Sequence, residues 1–173
     1  MTLQNPTGRS RLRFHPLPAD LGRGPFMPTF TGLRFHPRDP RPEEIDVRDI
    51  ARGLSRQCRY AGQVRCGFLS TAEHSVLVSY LVPTLAALMH DAAEAYLTDL
   101  PRATKAELPH YLQLEDRTMR AIGERFGFDP EMTPKIHAAD DAIAYLESEV
   151  GPGRAFDAAQ GLTDARQAGV ARR

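Results

Sequence analysis

The sequence predicts an all-α fold, and three observations predict it. Apolar residues recur at i, i+3, i+4 and i+7 in segments from Asp46 onward, the spacing of a helix with one inward stripe. Those segments are bounded by capping and stop residues, and strand-like alternation is confined to one short stretch. A length of 173 residues, 42% of them hydrophobic and 25% charged, suits one soluble globular domain.

In chain order, residues 1–28 mix Pro, Gly and Arg with few spaced apolar positions, which predicts an irregular basic arm. Phe30-Thr31-Gly32-Leu33-Arg34-Phe35 alternates around a glycine and predicts a small hairpin. Asp46 is a good N-cap for a helix with Val47, Ile50, Ala51 and Leu54 inward, ending near Ser55. Ser70-Thr71-Ala72-Glu73 is a capping box, so a helix starts there and carries His74, Val76, Leu77, Val78 and Leu81 until Pro83 interrupts it. A following helix carries Leu85, Leu88, Met89, Ala92 and Tyr96 up to the break at Thr98-Asp99-Leu100-Pro101. The next runs from Pro109 to Phe126, with Leu112, Met119, Ile122 and Phe126 inward and Gly127 as C-cap. The last begins at Thr133-Pro134 and ends before Gly151-Pro152-Gly153. The domain is expected over residues 29–150, with 151–173 as a tail.

Composition excludes several classes. No apolar run approaches the roughly 20 residues needed to cross a bilayer, and the Arg-dotted start lacks the apolar core of a secretory signal, so a cytoplasmic protein with no membrane partner is expected. Cys58 and Cys66 are too few for a disulfide framework or a closed Cys-based zinc site and read as free thiols. Formal net charge is zero, which disfavours nucleic acid as a partner of the whole chain. Up to Arg41, however, seven arginines stand against Asp20 and Asp39, so the amino-terminal segment is locally basic.

The chemistry centres on Met89-His90-Asp91-Ala92-Ala93-Glu94. His74 and His90 are 16 residues apart, roughly 24 Å along one straight helix and too far for a shared ion. A reversal at Pro83 brings both to nearly the same level of an antiparallel pair. Asp91 adjoins His90. A further carboxylate comes from Asp140, which shares its helix face with Ile136 and Ile143, whereas Asp141 points toward His137 and Tyr145. A carboxylate on an inward face needs a cation or several donors. His74, His90, Asp91 and Asp140 therefore suit a divalent ion, with manganese, cobalt, magnesium, iron and zinc all compatible with the donor set. Glu94, one turn beyond His90, is placed to orient or deprotonate a metal-activated water.

This set resembles the HD superfamily of metal-dependent phosphohydrolases. "HDAAEAYLTDLPRATK" is similar to the core motif of the bacterial 5'-deoxynucleotidase branch, and "AEHSVLVS" to its first-histidine helix. Arg59-Tyr60 stand upstream of His74 where that branch has Arg followed by an aromatic, usually Trp. The stretch from Thr29 to Gln63 looks like the beginning of short phage and bacterial members, so the resemblance covers about residues 28–150. It implies that Arg59 and Lys105 hold phosphate oxygens, that Tyr60 packs on the sugar and disfavours a 2'-hydroxyl, and that Asp99 binds a 3'-hydroxyl. It also implies a homo-oligomer. The interval between His74 and His90 is shorter than in the deoxynucleotidase branch.

The expected function is hydrolysis of the 5'-phosphate of deoxyribonucleoside monophosphates. The nearest alternative is a dNTP triphosphohydrolase using the same ion; a cyclic-nucleotide phosphodiesterase is less favoured. A non-catalytic nucleotide or nucleic-acid binding module is the alternative from another class. No role is expected for His15, His36, His110 or His137.

Overall fold

The computed structural model describes residues 22–63 and 67–150. Among them the chain forms a two-residue antiparallel ribbon, β1 (Met27–Pro28) with β2 (Arg34–Phe35), and seven α-helices. These are α1 (Val47–Leu54), α2 (Thr71–Leu81), α3 (Leu85–Leu88), α4 (Glu94–Leu97), α5 (Arg102–Ala106), α6 (Pro109–Phe126) and α7 (Pro134–Val150). The mostly helical architecture follows the all-α expectation, and none of these helices is long and apolar enough to cross a membrane.

Local rules account for most boundaries. The Asp46 carboxylate accepts from the Arg48 amide at the start of α1. Ser70 and Glu73 bond reciprocally at the start of α2, closing a capping box. Thr133 accepts from the Ile136 amide at the start of α7, and Gly127 ends α6 in the left-handed conformation. A hairpin forms, but wider than the expected Phe30–Phe35: β2 falls in that stretch, whereas β1 precedes it, at the end of the segment expected to be irregular. Thr29 donates to the Leu33 carbonyl and Gly32 takes the turn at φ +88°.

Several expectations need correction. The helix expected from Leu85 to Tyr96 is two single-turn helices separated by turns over residues 89–93. The His90 ring explains the break: its Nδ1 lies 2.8 Å from the Ala87 carbonyl, the group that would otherwise accept the Asp91 amide. Contacts tighten to i→i+3, with Ala92 donating to Met89 and Glu94 to Asp91. Val47 and Ala51 of α1 are exposed; Ile50 and Leu54 are buried, and beside them Asp49 accepts from the Thr31 amide and hydroxyl. Val76, Leu85, Leu88 and Leu112 are exposed as well. For Leu112 the reason is that α6 buries only Thr118, Met119, Ala121, Ile122 and Gly123, in its second half.

Residues 1–21 of the expected arm, Cys66 and the tail 151–173 lie outside the described residues; Cys58 is a free thiol. The end of the arm packs on the domain. Arg23 is buried between Asp39 and Glu44 at 2.5 and 2.6 Å, and Met27 packs against the core.

The described residues form two apolar cores. One gathers Phe35, Ile45, Ile50, Leu54, Met89, Ala92, Tyr96 and Ile122; the other gathers Leu77, Val78, Leu81, Ala87, Ile136 and Ile143. α1 crosses α4 so closely that a Cβ at Gly53 would stand 2.7 Å from the Ala95 carbonyl oxygen. The segment from Ala87 to Ala93 passes from the second core to the first, and His90 and Asp91 sit at that seam.

Candidate metal centre and cleft

The Pro83 reversal brings α2 back beside the 89–93 turns, with the His74 and His90 ring centroids 5.3 Å apart. α7 supplies Asp140. His74, His90 and Asp140 present donor atoms that all lie within 4.8 Å of one another. His74 Nε2 is 3.0 Å and His90 Nε2 4.0 Å from Asp140 Oδ1. A divalent ion about 2.0–2.2 Å from each donor fits these separations.

The fit rests on how the other ring nitrogens are used. His74 Nδ1 meets Glu147 Oε1 at 2.9 Å, and His90 Nδ1 meets the Ala87 carbonyl at 2.8 Å. Both partners accept, so each neutral imidazole keeps its proton on Nδ1 and turns the Nε2 lone pair toward the trio. Both Nε2 atoms are buried and neither has a hydrogen-bond partner among the described residues. Two buried lone pairs facing a carboxylate could hold a cation by chemistry as well as by spacing. Burial would raise the Asp140 carboxyl, but the facing His74, with His90 and Arg102 nearby, holds it at about 2. Burial would lower His74, but Asp140 and Glu147 raise it overall, so an ion at Nε2 would compete there with a proton shared toward Asp140.

Asp91 Oδ2 lies 3.3 Å from His90 Nε2 and 3.8 Å from His74 Nε2, beside the compact trio. In an α-helix successive side chains diverge by about 100°. The turns at residues 89–93 let these neighbours meet.

Above the trio lies a cleft of about 420 Å³ lined by Arg59, Tyr60, Asp91, Glu94, Asp99, Arg102, Lys105 and Asp140, among others. All five expected catalytic and substrate residues therefore line one space. Arg59 and Tyr60 enter it from a left-handed turn in which Tyr60, Ala61 and Gly62 have φ of 56°, 53° and 77°. Positive φ is costly at Tyr60 and Ala61 and persists where the surroundings over-determine it. Here Arg59 Nε donates to Glu147 at 3.1 Å, and the Tyr60 hydroxyl donates to Glu147 and the Ala144 carbonyl. Burial alone would lower the Arg59 pKa, but Glu147 and Asp91 hold the guanidinium charged.

Glu94 opens α4 and is only 3% exposed. Its Oε1 accepts from Lys105 Nζ at 2.8 Å; its buried Oε2 has no hydrogen-bond partner among the described residues. Burial, with the Asp91 charge adding to it, pushes the Glu94 carboxyl up to about 9 against the pull of Lys105. Lys105 also donates to Glu115 at 2.7 Å. Burial raises Asp99 as well, and Thr71 donates to that carboxylate at 3.4 Å. The corner between Glu94 and Asp99 is braced by Gln57, which donates to the Glu94 carbonyl at 2.8 Å and accepts from the Asp99 amide at 2.6 Å. Thr98 between them has φ +84° and ψ 147°, a conformation a β-branched residue rarely adopts, and the Tyr111 hydroxyl holds its carbonyl.

Three residues of the site escaped the sequence reading. Glu147 carries a legible signal: it continues the inward stripe Ile136, Asp140, Ile143 at helical spacing. Gln57 sits in a connector with no period, and Arg102, exposed and forked across Asp140 and Asp141 at 3.1 and 2.8 Å, reads as surface charge. A second cleft of about 670 Å³ shares Asp91, Arg102, Lys105 and Asp140 with the first and adds four carboxylates, Glu115, Asp116, Glu131 and Asp141, among histidine and apolar residues.

No protein-family model matches the chain. It is similar to the uncharacterized protein YfdR of Escherichia coli (strain K12), 41% identical over 118 residues that cover 66% of each chain, so it spans about two thirds of that relative's length. It is also similar to the uncharacterized protein RCAP_rcc00048 of Rhodobacter capsulatus, 38% identical over 136 residues that cover 69% of each. At that identity and coverage, the chain belongs to the same family as RCAP_rcc00048.

Proposed function

We propose that this chain is an HD-superfamily phosphohydrolase that uses a divalent ion to remove the 5'-phosphate of deoxyribonucleoside monophosphates. The observation that carries the reading is the pair of buried histidines whose Nδ1 atoms are engaged and whose orphaned Nε2 atoms face Asp140 beneath a cleft lined by Arg59, Lys105 and Glu94.

His74, His90 and Asp140 would hold the ion, with Asp91 beside them. Manganese, cobalt, magnesium, iron and zinc all suit such donors. When bound, the ion would acidify a water and offset charge on phosphoryl oxygens. The side chains do the rest. Arg59 offers a planar fork to phosphate oxygens and Lys105 a point charge. Glu94, its Oε1 steadied by Lys105, would offer Oε2 as the acceptor for the attacking water's proton once the charge of a bound ion lowers its carboxyl from the raised value it has beside Asp91. Tyr60 packs against the sugar, and Asp99 receives the 3'-hydroxyl.

The dNTP triphosphohydrolase reading needs room and positive charge beyond the first phosphate. The adjoining cleft has room, but its Glu115, Asp116, Glu131 and Asp141 would repel a polyphosphate, which favours the monophosphate. The test offers dAMP, AMP and dATP to protein loaded with Mn2+ or Co2+. Phosphate released from dAMP is the expected result. Triphosphate released from dATP would establish the rival, and no turnover of any nucleotide would favour a binding module.

A further inference from the structure

Glu147 touches both halves of the site, His74 of the histidine–aspartate trio and the turn that carries Arg59 and Tyr60. It lies on α7, two turns beyond Asp140, is 2% exposed, and receives three side chains drawn from two distant segments. His74 Nδ1 meets Oε1 at 2.9 Å, and Arg59 Nε and the Tyr60 hydroxyl meet Oε2, each at 3.1 Å. A buried carboxylate without donors costs several kcal/mol, and here every neighbour is a donor. From these contacts we infer that Glu147 is a positioning residue that ties the metal centre to the substrate wall: one oxygen fixes the tautomer and tilt of a metal-binding histidine, the other anchors the turn presenting Arg59 and Tyr60.

The reasoning is geometric. A neutral His74 has one N–H, and an acceptor opposite Nδ1 places it there. Its Nε2 is then a lone-pair donor on the Asp140 side. On the other oxygen, Arg59 Nε and the Tyr60 hydroxyl are held at the start of a left-handed turn whose strained Tyr60 and Ala61 would relax without that anchor. Arg59 Nε lies 3.1 Å from Glu147 Oε2, so the guanidinium and the His74 ring sit on the two oxygens of one buried carboxyl group. Loss of Glu147 therefore frees the ring and the turn together. The inference rests on the metal-dependent reading above and adds a residue to it.

The test compares Glu147→Ala and Glu147→Gln with Tyr60→Phe, each checked for a cooperative melt. Titration with Mn2+ should show affinity reduced about 10- to 100-fold in Glu147→Ala, the usual effect of removing a partner behind a ligand. KM for the nucleotide should rise in the same variant. Tyr60→Phe, which leaves His74 Nδ1 bonded, should keep wild-type metal affinity. Glutamine has one acceptor oxygen for two sets of donors, so Glu147→Gln should lose on at least one of the two readouts, and it carries the comparison if the alanine variant does not fold. Long-range 1H–15N correlation on the Zn2+-loaded wild type should find the His74 proton on Nδ1. Unchanged metal affinity and KM in Glu147→Gln, or a proton on Nε2, would overturn the role of Glu147 alone. A wild type that binds none of Mn2+, Co2+ and Zn2+ would instead overturn the metal reading beneath it.

Discussion

The two walls of the cleft are built on different principles. On the inner wall, His74 and His90 each have one nitrogen tied to an acceptor in the protein and the other left without a partner, facing Asp140. On the outer wall, charges satisfy one another: Lys105 lies between Glu94 and Glu115, and Arg59 between Glu147 and Asp91. The inner wall could hold a cation. The outer wall is already neutralised, and under the proposed function its ion pairs would have to exchange partners to take a phosphate. Binding an ion and turning over a substrate should therefore be separable by mutation.

The largest effect should come from the inner wall. Asp140→Ala is expected to weaken Mn2+ binding by more than about 100-fold, beyond what a partner behind a ligand contributes, and to abolish turnover. Calorimetry reads the affinity, and a thermal scan checks it independently: an ion at about 100 times its Kd should stabilise the wild type by about 2.7 kcal/mol and Asp140→Ala hardly at all. An equal stabilisation of both proteins would remove Asp140 from the ligand set.

Glu94→Gln addresses the outer wall. Turnover should fall about 10²- to 10⁴-fold, the range for a lost general base, with metal affinity held. Near-normal turnover would take Glu94 out of the chemistry, and a parallel loss of metal would erase the distinction between the walls. Arg102→Ala should be the mildest change. Its guanidinium is 74% exposed, and pairs of that kind contribute about 0–1 kcal/mol, so melting temperature and metal affinity should stay close to wild type. A large fall in metal affinity would show that Arg102 organises Asp140 and belongs with the inner wall.

Much of this was legible in the sequence where the cause is local. Asp46, the Ser70–Glu73 box, Thr133 and Gly127 act on backbone groups a few residues away, and Pro83 marks the reversal that joins His74 to His90. Choosing Asp140 over Asp141 needed only the helix face, and the two now have different surroundings, one in the trio and one paired with Arg102 at the surface. Elsewhere the causes are not local. The break at residues 89–93 arises because the His90 ring competes for a carbonyl that helical periodicity assigns to the backbone. Glu147 gathers partners 73 to 88 residues away, and Arg59 and Tyr60 reach it through positive backbone angles that no glycine at those positions announces.

Gly53 extends this to the limits on sequence drift. It lies on α1, outside the residues that line the cleft above the metal centre, and its contribution is an absent methyl group: the Ala95 backbone occupies the space a Cβ would need. Ala95 follows Glu94 directly, so any larger residue at 53 pushes on the turn that holds the carboxylate. In a mutational map of this chain, position 53 would cast a shadow well away from the cleft, because what a larger residue there displaces is the backbone next to Glu94.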